Sequence, residues 1–554
     1  MADSTTGPGR FIGPVIAAVI FLGGGVALFF YPASPWLWLL TLVALALLAQ
    51  GLRDLLQQRH TLLRNYPLLA HFRWFFEFLR PFLRQYIVEN DREGRPYNRD
   101  RRSLIYERAK DQVDAKPFGS DLDAYDNEFQ VVTHSMAPRP KPDSDFRVRV
   151  GADTCARPVD VSLLNVSAMS FGSLSGPAVE ALNLGARRGG FYQDTGEGGI
   201  SPYHVRHGGD LVWEIGSGYF GCRDRDGYFD RGLFREQANR DSVRMIEIKL
   251  SQGAKPGHGG LLPAAKITEE IARTRKIPVA QDCLSPAYHT AFSTPRELLE
   301  FAASLRADSG GKPVGIKLCV GHPWEVFALC KAMLDSGIRL DFIVVDGAEG
   351  GTGAAPEEFS DHVGMPLREG LLLVRNALVG TGLRPDIRLA ASGKVYSAYT
   401  MAANLALGAD WCTAARAFML SLGCVQTKSC HNDLCPTGVA TQNPNRQRGL
   451  VIADKAPRVA NFQRHTLDHL ADLVAAAGLD HPAELLPHHL LHRRSATELI
   501  GLDKMYPFLR SGELLEDPAA TPYQEWWNAA DPDSFKPRGL VGPGHHRSAR
   551  VTPG

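Results

Sequence analysis

The stretch PVGIKLCVGHPWEVFALCKAMLDSGIRLDFIVVDG, residues 313–347, decides the fold of this chain. Two short apolar runs, 313–320 and 341–347, read as buried strands, because they are rich in β-branched residues and are bounded by glycine and proline. Between them, 322–337 has the length and the spacing of apolar residues that are typical of a helix. This alternation of buried strand and helix predicts an α/β fold.

The same alternation extends over most of the chain from about residue 160. A second convincing helix covers 294–308, and six further runs have strand character. These runs are VSLLNVSAM (161–169), GFYQDT (190–195), MIEIKL (245–250), IPVAQD (277–282), IRLAASG (387–393) and WCTAAR (411–416). Eight strands with intervening helices predict a (β/α)8 TIM barrel. An open, doubly wound sheet is the alternative, but many of these strands end in loops with Gly, Ser or Lys, which favours one shared site at the carboxyl ends of barrel strands.

Composition limits the class of protein. The chain has 554 residues and is 44% hydrophobic, which is enough for a large core. Its 61 Lys and Arg against 60 Asp and Glu give a net charge of +1, so nucleic acid is not expected as a partner. The nine cysteines form no regular extracellular framework, and a reducing compartment is therefore expected for the soluble part.

Two apolar runs near the N-terminus predict a transmembrane hairpin. Phe11 to Tyr31 has no charged residue, and Trp36 to Leu52 follows it after the short turn PASP. A signal peptide followed by a buried helix is the alternative, which is disfavoured because the first run is too long and no clear cleavage site separates the two. Arginines precede the first run and follow the second, whereas the turn is uncharged. The positive-inside rule therefore predicts a two-span protein of a bacterial-type inner (plasma) membrane, with its catalytic barrel domain in the cytoplasm.

These patterns divide the chain into five parts. Residues 1–10 are predicted as a cytoplasmic N-terminus, 11–52 as the transmembrane helical hairpin and 53–150 as a juxtamembrane linker. Residues 151–500 are predicted as the barrel domain, and 501–554 as a C-terminal extension whose tail is disordered. The first part of the linker is rich in arginine and aromatic residues. It is predicted either to lie on the membrane surface as an amphipathic helix or to pack against the soluble domain.

Loops rich in small residues follow the last predicted strands and suggest a cofactor site. The loop DGAEGGTGAAP contains Gly350 and Gly351, which allow the backbone to approach a ring or a phosphate closely. A Rossmann reading of its Gly-Thr-Gly is disfavoured, because the third glycine is absent and no helix opens there. The motifs ASGKV and CTAAR, which contain Gly393, Ala415 and Arg416, end the last two predicted strands. In barrels, the loops at these positions commonly bind phosphate.

Lys317 ends the first strand of the stretch 313–347, and its neighbours along that strand are apolar. One interpretation is a lysine at the rim of the barrel that holds its amine in water. The other is a fixed positive charge inside the barrel mouth, where a reduced flavin accumulates negative charge.

Three cysteines lie close together in CVQTKSCHNDLC (424–435), after the last predicted strand. Packing in the core explains such a group poorly. Zinc with His431 as fourth ligand is an alternative, although the side chains of adjacent residues diverge and seldom share a metal. The three thiolates of Cys424, Cys430 and Cys435 favour an iron–sulfur cluster, and a [3Fe-4S] cluster requires only three ligands.

Six motifs, in this order, resemble those of the glutamate synthases and cover about 160–480. They are SAMSFGSLS (167–175), DTGEGG (194–199), GSGYFG (216–221), KLSQGAKPGHGG (249–260), GAEGGTGAAP (347–356) and CVQTKSCHNDLCPTGVATQ (424–442). The resemblance implies an FMN-binding barrel with one [3Fe-4S] cluster. It also implies reductive amination of 2-oxoglutarate, or a related keto acid, to glutamate or an N-substituted amino acid.

The resemblance further implies roles for individual residues. The cluster would be held by Cys424, Cys430 and Cys435, and the pyrimidine edge of the flavin would be faced by Lys317. The residues that would line FMN are Ser170, Gly350, Gly351, Gly393 and Ala415. The 2-oxoglutarate site would be formed by Glu197, Lys255 and Arg275. Two cations can pair with two carboxylates of a substrate, and a carboxyl group can donate a proton or orient the amine.

Two departures fall in the keto-acid site, where the family has Glu and Gln and this chain has His258 and Leu261. We expect them to change which keto acid or amine is accepted. The sequence shows no amidotransferase or NAD-binding domain, so the amine is expected from solution, a separate subunit or another donor. Electrons are expected from a ferredoxin-like or membrane partner. The alternative function is that of a membrane-tethered electron-transfer or regulatory flavoprotein without amination activity.

Overall fold

The computed structural model describes residues 11–152, 154–279 and 281–539, and the chain divides into two compact units between Asp100 and Arg101. The predictions for residues 1–10 and for the tail beyond residue 539 lie outside the described residues. The boundary between the units precedes the predicted start of the barrel domain at 151. The reason is that part of the predicted linker pairs with the far end of the chain: Gln130–Val132 forms an antiparallel ladder with Leu490–Ser495.

The first unit begins with two helices, Ile12–Phe30 and Pro35–Leu56, at the positions of the two predicted runs. Both are long and apolar enough to cross a membrane. They approach each other closely at Gly24, where an added Cβ would lie within 3.3 Å of the Thr41 Cβ. The unit continues with helices Thr61–Asn65 and Ala70–Leu83 and a π-helical turn, Arg84–Val88.

The second unit contains a closed barrel of eight parallel strands, which we number β1 to β8. In chain order they are β1 Leu164–Val166, β2 Gln193–Asp194, β3 Leu211–Ile215, β4 Val243–Lys249, β5 Val314–Leu318, β6 Phe342–Asp346, β7 Arg388–Ser392 and β8 Trp411–Ala414. Each strand pairs with the next, and the barrel closes where Cys412 of β8 pairs with Leu164 of β1. The predicted TIM barrel is confirmed.

One predicted strand is wrong, and one barrel strand escapes the sequence pattern. The described part of IPVAQD (277–282) forms no strand; it lies in the long connection between β4 and β5, and Val279 is exposed. The strand that completes the barrel is β3, with the sequence LVWEI. Its Glu214 interrupts the apolar pattern that marks a buried strand, because this carboxylate lies inside the barrel beside a buried cation.

Helices connect the strands. Both predicted helices are present: Pro295–Asp308 is capped by Thr294, and Pro323–Ser336 ends at Gly337, whose φ of 72° suits glycine. The other α-helices of eight or more residues are Arg99–Ala109, Gly176–Gly189, Arg231–Ala238, Leu367–Gly380, Ala398–Ala406 and Ile452–Ala476. Shorter α-helices are Pro202–Val205, Glu269–Arg275, Glu357–His362, Arg416–Ser421, Pro444–Gln447, Leu502–Met505, Glu513–Glu516 and Gln524–Ala529.

Short elements lie outside the barrel. Besides the ladder of Gln130–Val132, three antiparallel pairings join Arg147–Val150 with Val159–Ser162, Leu261–Leu262 with Cys283–Leu284, and Leu490–Ser495 with Glu498–Gly501. Single 3-10 turns are Ala264–Lys266, Pro482–Glu484, Pro487–His489 and Pro518–Ala520.

The register of β3, β4 and β5 brings charged residues together. Glu214 of β3 pairs with Glu247 of β4, and Lys317 of β5, which pairs with Lys249 of β4, extends its Nζ to 3.8 Å from Glu247 Oε1. Because side chains on one face of a strand recur every two residues, Glu247 and Lys249 point the same way. The barrel therefore carries charged groups at two successive levels towards the carboxyl ends of its strands.

Candidate functional site

The outer of the two levels contains an ion pair between the loop after β2 and the end of β4. Lys249 Nζ lies 3.1 Å from Glu197 Oε2. Two glycines leave room for this carboxylate: an added Cβ at Gly216 would lie 2.8 Å from Oε2, and one at Gly260 would lie 2.8 Å from Oε1. The glycines of the GSGYFG and GHGG motifs thus permit Glu197 to reach Lys249.

Arg275 extends this site towards the loop after β1. It is buried, and its Nη2 donates to Ser170 Oγ at 3.3 Å and to the Phe171 carbonyl at 3.1 Å. The guanidinium lies 5.1 Å from the centre of the Phe220 ring, within the range of a cation–π contact. Its buried Nε has no hydrogen-bond partner. Leaving a buried N–H donor without an acceptor costs free energy, so the Nε–H group of Arg275 is suited to donate a hydrogen bond to a ligand.

Glu197 is surrounded by three cations. Burial alone would raise the pKa of Glu197, but Lys249, Arg275 and Lys255 together hold it below its ordinary value. Burial lowers the pKa of Lys255, which is 4% exposed, and Glu197 partly offsets this effect. One carboxylate with two ammonium groups and one guanidinium has a formal charge of +2. This pocket therefore has an unbalanced positive charge that matches a dicarboxylate.

The two residues that depart from the family lie beside this pocket. Leu261 directly follows Gly260, is 42% exposed and pairs with Leu284, which is exposed as well. His258 is exposed; its Nδ1 lies 2.8 Å from the Gly259 carbonyl and its ring packs edge-on against Phe359. The apolar Leu261 is thus a neighbour in sequence of the glycine that leaves room for Glu197.

The inner level is built around Lys317. This lysine is 4% exposed, so it does not hold its amine in water at the rim. Its Nζ donates to Glu214 Oε2 at 2.5 Å and lies 3.8 Å from Glu247 Oε1. One oxygen each of Glu214, Glu247 and Asp194 lies within 4.8 Å of the others, and all three side chains are buried. Such a group could hold a cation, and the Lys317 ammonium provides one.

These four groups set each other's protonation. Burial would lower the pKa of Lys317, but Glu214, Glu247 and Asp194 hold it well above its ordinary value. Burial and the charge of Glu214 raise the pKa of Asp194 to about 7. Burial and Asp194 likewise raise the pKa of Glu247 well above its ordinary range. A charged Lys317 beside Asp194 and Glu247, which are more readily protonated than usual, is the arrangement that this environment favours.

The small-residue loops meet on another side of the barrel mouth. Arg416 Nη2 donates to the Glu349 carbonyl at 2.5 Å, which joins the loop after β8 to the loop after β6. An added Cβ at Gly351 would lie 3.0 Å from Cδ of Arg416, and Gly393 has a φ of 151°. Gly350, Gly393 and Ala415 are half-buried, and Gly351 is exposed. Backbone of these loops is thus accessible beside a guanidinium group.

The three cysteines of CVQTKSCHNDLC are free of disulfides and lie in the loop after helix Arg416–Ser421. Burial raises the pKa of Cys424 to about 12, with smaller contributions from Cys430 and Cys435. Burial also raises the pKa of Cys430, again with a contribution from Cys435. Burial acts in the same direction on Cys435, but hydrogen bonds from Thr437 and backbone N–H groups lower its pKa overall. The three thiols thus share one loop and differ in their ease of ionisation.

Lys266 connects this loop to the loop after β1. It is 3% exposed, and its Nζ donates to the carbonyls of Ser173 at 3.3 Å, Cys430 at 3.2 Å and Ala440 at 3.5 Å. Burial lowers the pKa of Lys266, while Asp433, Cys430 and Cys435 oppose that effect. A buried cation thus lies beside the cysteines and ties their loop to the residues that hold Arg275.

The structure brings Glu197, Lys255, Arg275 and Ser170 together, and it places the glycines with Arg416 and the cysteines with one another. Sequence reasoning missed Lys249, Lys266 and the carboxylates that surround Lys317. For Lys249 a signal exists, since MIEIKL places it on the same strand face as Glu247. For Lys266 there is none, because its carbonyl partners lie in two loops that are far from it and from each other in sequence.

Comparison with known proteins identifies relatives. A family model described as the conserved region in glutamate synthase matches residues 120–480. The glutamate synthase large subunit-like protein YerD of Bacillus subtilis is 36% identical over 532 residues, 89% of this chain and 98% of that protein. The archaeal glutamate synthase (NADPH) of Methanocaldococcus jannaschii is 35% identical over 316 residues, 57% of this chain and 59% of that protein. A solved mandelate oxidase with an FMN adduct is 16% identical with a TM-score of 0.38, covering 66% of this chain and 86% of that one, and is too distant to bear on function.

Proposed function

Because this chain belongs to the glutamate synthase family of oxidoreductases that act on the CH–NH2 group, we propose that it reductively aminates 2-oxoglutarate or a closely related keto acid. The observation that carries this proposal is the formal charge of +2 around Glu197. A dicarboxylate balances that charge, whereas a keto acid with one carboxylate leaves a buried cation unpaired. The product is glutamate, or an N-substituted amino acid if the amine is substituted.

We assign the polar groups as follows. Arg275 and Lys255 bind the two carboxylates, and the unpartnered Nε of Arg275 supports its part in this. Lys249 keeps Glu197 ionised and holds it in place. Of the two roles expected for Glu197, the lowered pKa favours orienting the amine over donating a proton. The notable departure next to Gly260 is Leu261, which in this proposal favours an alkyl group on the amine or keto acid.

The glycine loops fit FMN, since Gly350, Gly351, Gly393 and Ala415 leave backbone accessible next to a guanidinium. Arg416 would pair with the phosphate. Bound FMN, once reduced by the proposed electron donor, would supply the hydride for the amination. Lys317 would provide positive charge towards the ring, and the carboxylates around it keep it protonated.

The cysteines fit an iron–sulfur cluster, since three free thiols share one loop and Lys266 adds a compensating charge. Cys424, Cys430 and Cys435 would bind a [3Fe-4S] cluster, which would supply single-electron transfer. We propose a ferredoxin-like or membrane-bound electron donor. The two apolar N-terminal helices would anchor the protein in a bacterial-type inner membrane as a two-span hairpin, with the barrel in the cytoplasm.

The test uses the full chain purified in detergent under anaerobic conditions. We expect FMN and about three irons per chain, with iron lost in Cys435→Ser. After reduction, the flavin should be reoxidised by 2-oxoglutarate together with ammonium or methylamine. The variant R275Q should lose this reoxidation while keeping the flavin spectrum. R273Q is the matched control, because Arg273 lies on the same short helix but is exposed.

Reoxidation by a quinone or a redox protein, and by no keto acid, would refute the amination and favour the electron-transfer alternative. A preparation without flavin and iron, from cells that assemble iron–sulfur clusters normally, would refute both.

A further inference from the structure

The helix Ala70–Leu83, which we call the aromatic helix, carries a large unpartnered apolar surface. Its sequence is AHFRWFFEFLRPFL. The exposed aromatic side chains and their exposures are Phe72 60%, Trp74 39%, Phe75 54%, Phe76 58%, Phe78 69% and Phe82 47%. Arg73, Glu77 and Arg80 follow each other at intervals of four and three residues, so they share one narrow face. Most of the remaining surface is apolar, and exposed patches of this kind mark interaction sites.

The aromatic helix is fixed to the end of the second apolar helix. Asp54, in the last turn of Pro35–Leu56, is 1% exposed. Its Oδ2 lies 2.9 Å from His71 Nε2 and accepts the N–H of Leu68 at 3.0 Å, while its Oδ1 accepts from Gln50 at 2.9 Å. An added Cβ at Gly51 would lie 3.5 Å from Leu68 Cγ. The aromatic helix thus begins at the level at which the apolar segment ends.

The charge of this region is positive. Between residues 53 and 88 the chain has six arginines and two acidic residues, Asp54 and Glu77, which gives a net charge of +4 with neutral histidines. Asp54 is already paired with His71, and Glu77 with Arg73. Arginine next to exposed aromatic side chains is the composition of helices that lie in the headgroup layer of anionic membranes.

We propose that the aromatic helix lies in the headgroup layer of an anionic phospholipid membrane, with its phenylalanine face towards the acyl chains and its arginines among the phosphates. The proposal rests on the membrane anchoring proposed for the two N-terminal helices. Continuity with the end of the second span and the excess of arginine favour lipid over a second copy of this chain or a protein partner. Such a helix holds the chain parallel to the membrane where it leaves the second span.

The test uses the full chain in vesicles of phosphatidylcholine with phosphatidylglycerol. The variant F75W adds a tryptophan to the apolar face, and E77W adds one to the polar face as the matched control. The emission of each added tryptophan is obtained by subtracting the emission spectrum of the parent from that of the variant. Lipids brominated near the headgroup should quench most of the F75W signal and much less of the E77W signal. Replacing phosphatidylglycerol by phosphatidylcholine, or adding R73Q and R80Q to F75W, should reduce the quenching.

Quenching of the F75W signal by aqueous acrylamide but not by brominated lipid would overturn the proposal, because the face would then lie in water. Protection from both quenchers would overturn it in favour of a protein contact. The readout needs neither flavin nor turnover, so it is independent of the proposed amination. Membrane anchoring is checked separately: the parent must float with vesicles and resist extraction by alkaline carbonate.

Discussion

Replacing Lys317 by methionine should destabilise the barrel strongly. Lys317 Nζ lies 2.5 Å from Glu214 and 3.8 Å from Glu247, and all three side chains are at least 95% buried. Removing one partner of a buried ion pair typically costs about 3–5 kcal/mol, because the other charge stays buried without compensation. We expect a loss of that size for K317M at about pH 8, where protonating Asp194 or Glu247 to remove the uncompensated buried charge costs most.

The double variant K317M/E214Q separates charge from packing. Glutamine keeps the shape of Glu214 but removes the charge, so most of the stability should return, and replacing a buried pair by neutral groups is often close to neutral. E214Q alone should cost less than K317M, because Glu247 and Asp194 still surround the ammonium. A coupling energy of about 2 kcal/mol or more between the two substitutions is expected.

The loss should also depend on pH. A carboxyl group whose pKa is raised on folding stabilises the folded state at low pH and loses that contribution as the pH rises. Without Lys317, the pKa values of Asp194 and Glu247 rise further, so K317M should lie closest to the parent at about pH 5 and fall behind it towards about pH 8.

The assay is urea unfolding followed by tryptophan fluorescence. Trp213 is adjacent to Glu214 on β3 and stacks on Phe234, so it reports on this strand. Each variant is measured with saturating FMN and after FMN removal, so that weaker cofactor binding is distinguished from a weaker barrel. A cost below about 1 kcal/mol at high pH, or equal losses for K317M and K317M/E214Q, would refute the reasoning.

Three further outcomes are expected. Gly216→Ala places a Cβ 2.8 Å from Glu197 Oε2 and 2.9 Å from Glu197 Cβ, so the contact of Glu197 with Lys249 should be lost. The KM for the keto acid should then rise about tenfold while the flavin spectrum stays unchanged. An unchanged KM would contradict the assignment of this pocket. Lys266→Met should lower the reduction potential of the cluster by tens of millivolts, as followed by EPR, because a nearby buried positive charge is removed. K266R keeps the charge and should leave the potential unchanged. Equal potentials in the parent, Lys266→Met and K266R would disprove the electrostatic role of Lys266. In Asp194→Asn, the urea midpoint should vary less with pH between 3.8 and about 7, because over this range the parent loses the stabilising effect of the neutral Asp194 carboxyl. A pH profile identical to that of the parent would show that another group titrates.

The elements with a clean local pattern could be predicted from the sequence. Pro323–Ser336 has apolar residues at helical spacing, proline in its first turn and a glycine directly after its end, so both ends are encoded locally. The buried strands at 314–318 and 342–346 have no competing pattern either. The strand LVWEI could not be found in this way, since periodicity cannot show that a glutamate in its middle meets a lysine from a strand about a hundred residues later.

The same reasoning applies to the site. The motifs identify Glu197 and Arg275 through family resemblance, and the structure places them in one pocket with Lys255. They do not show the full charge of the pocket, because they assign no role to Lys249, which raises the formal charge from +1 to +2. The balance of charge in a pocket is a property of residues that meet through the fold, and it becomes visible only when the barrel has closed.

The inner and outer levels of the barrel carry opposite formal charges. The inner level has three carboxyl groups and one lysine, with a formal charge of −2 when all are ionised, and the outer level has a formal charge of +2. Glu247 belongs to the inner level and Lys249 to the outer level. Both side chains lie on the same face of β4, so these opposite charges are neighbours inside the barrel. When a dicarboxylate enters, it neutralises the outer level, so Asp194 and Glu247, whose pKa values burial already raises, lose a positive field that opposes their protonation. Their pKa values must then rise, so binding of a dicarboxylate is linked to proton uptake by Asp194 and Glu247.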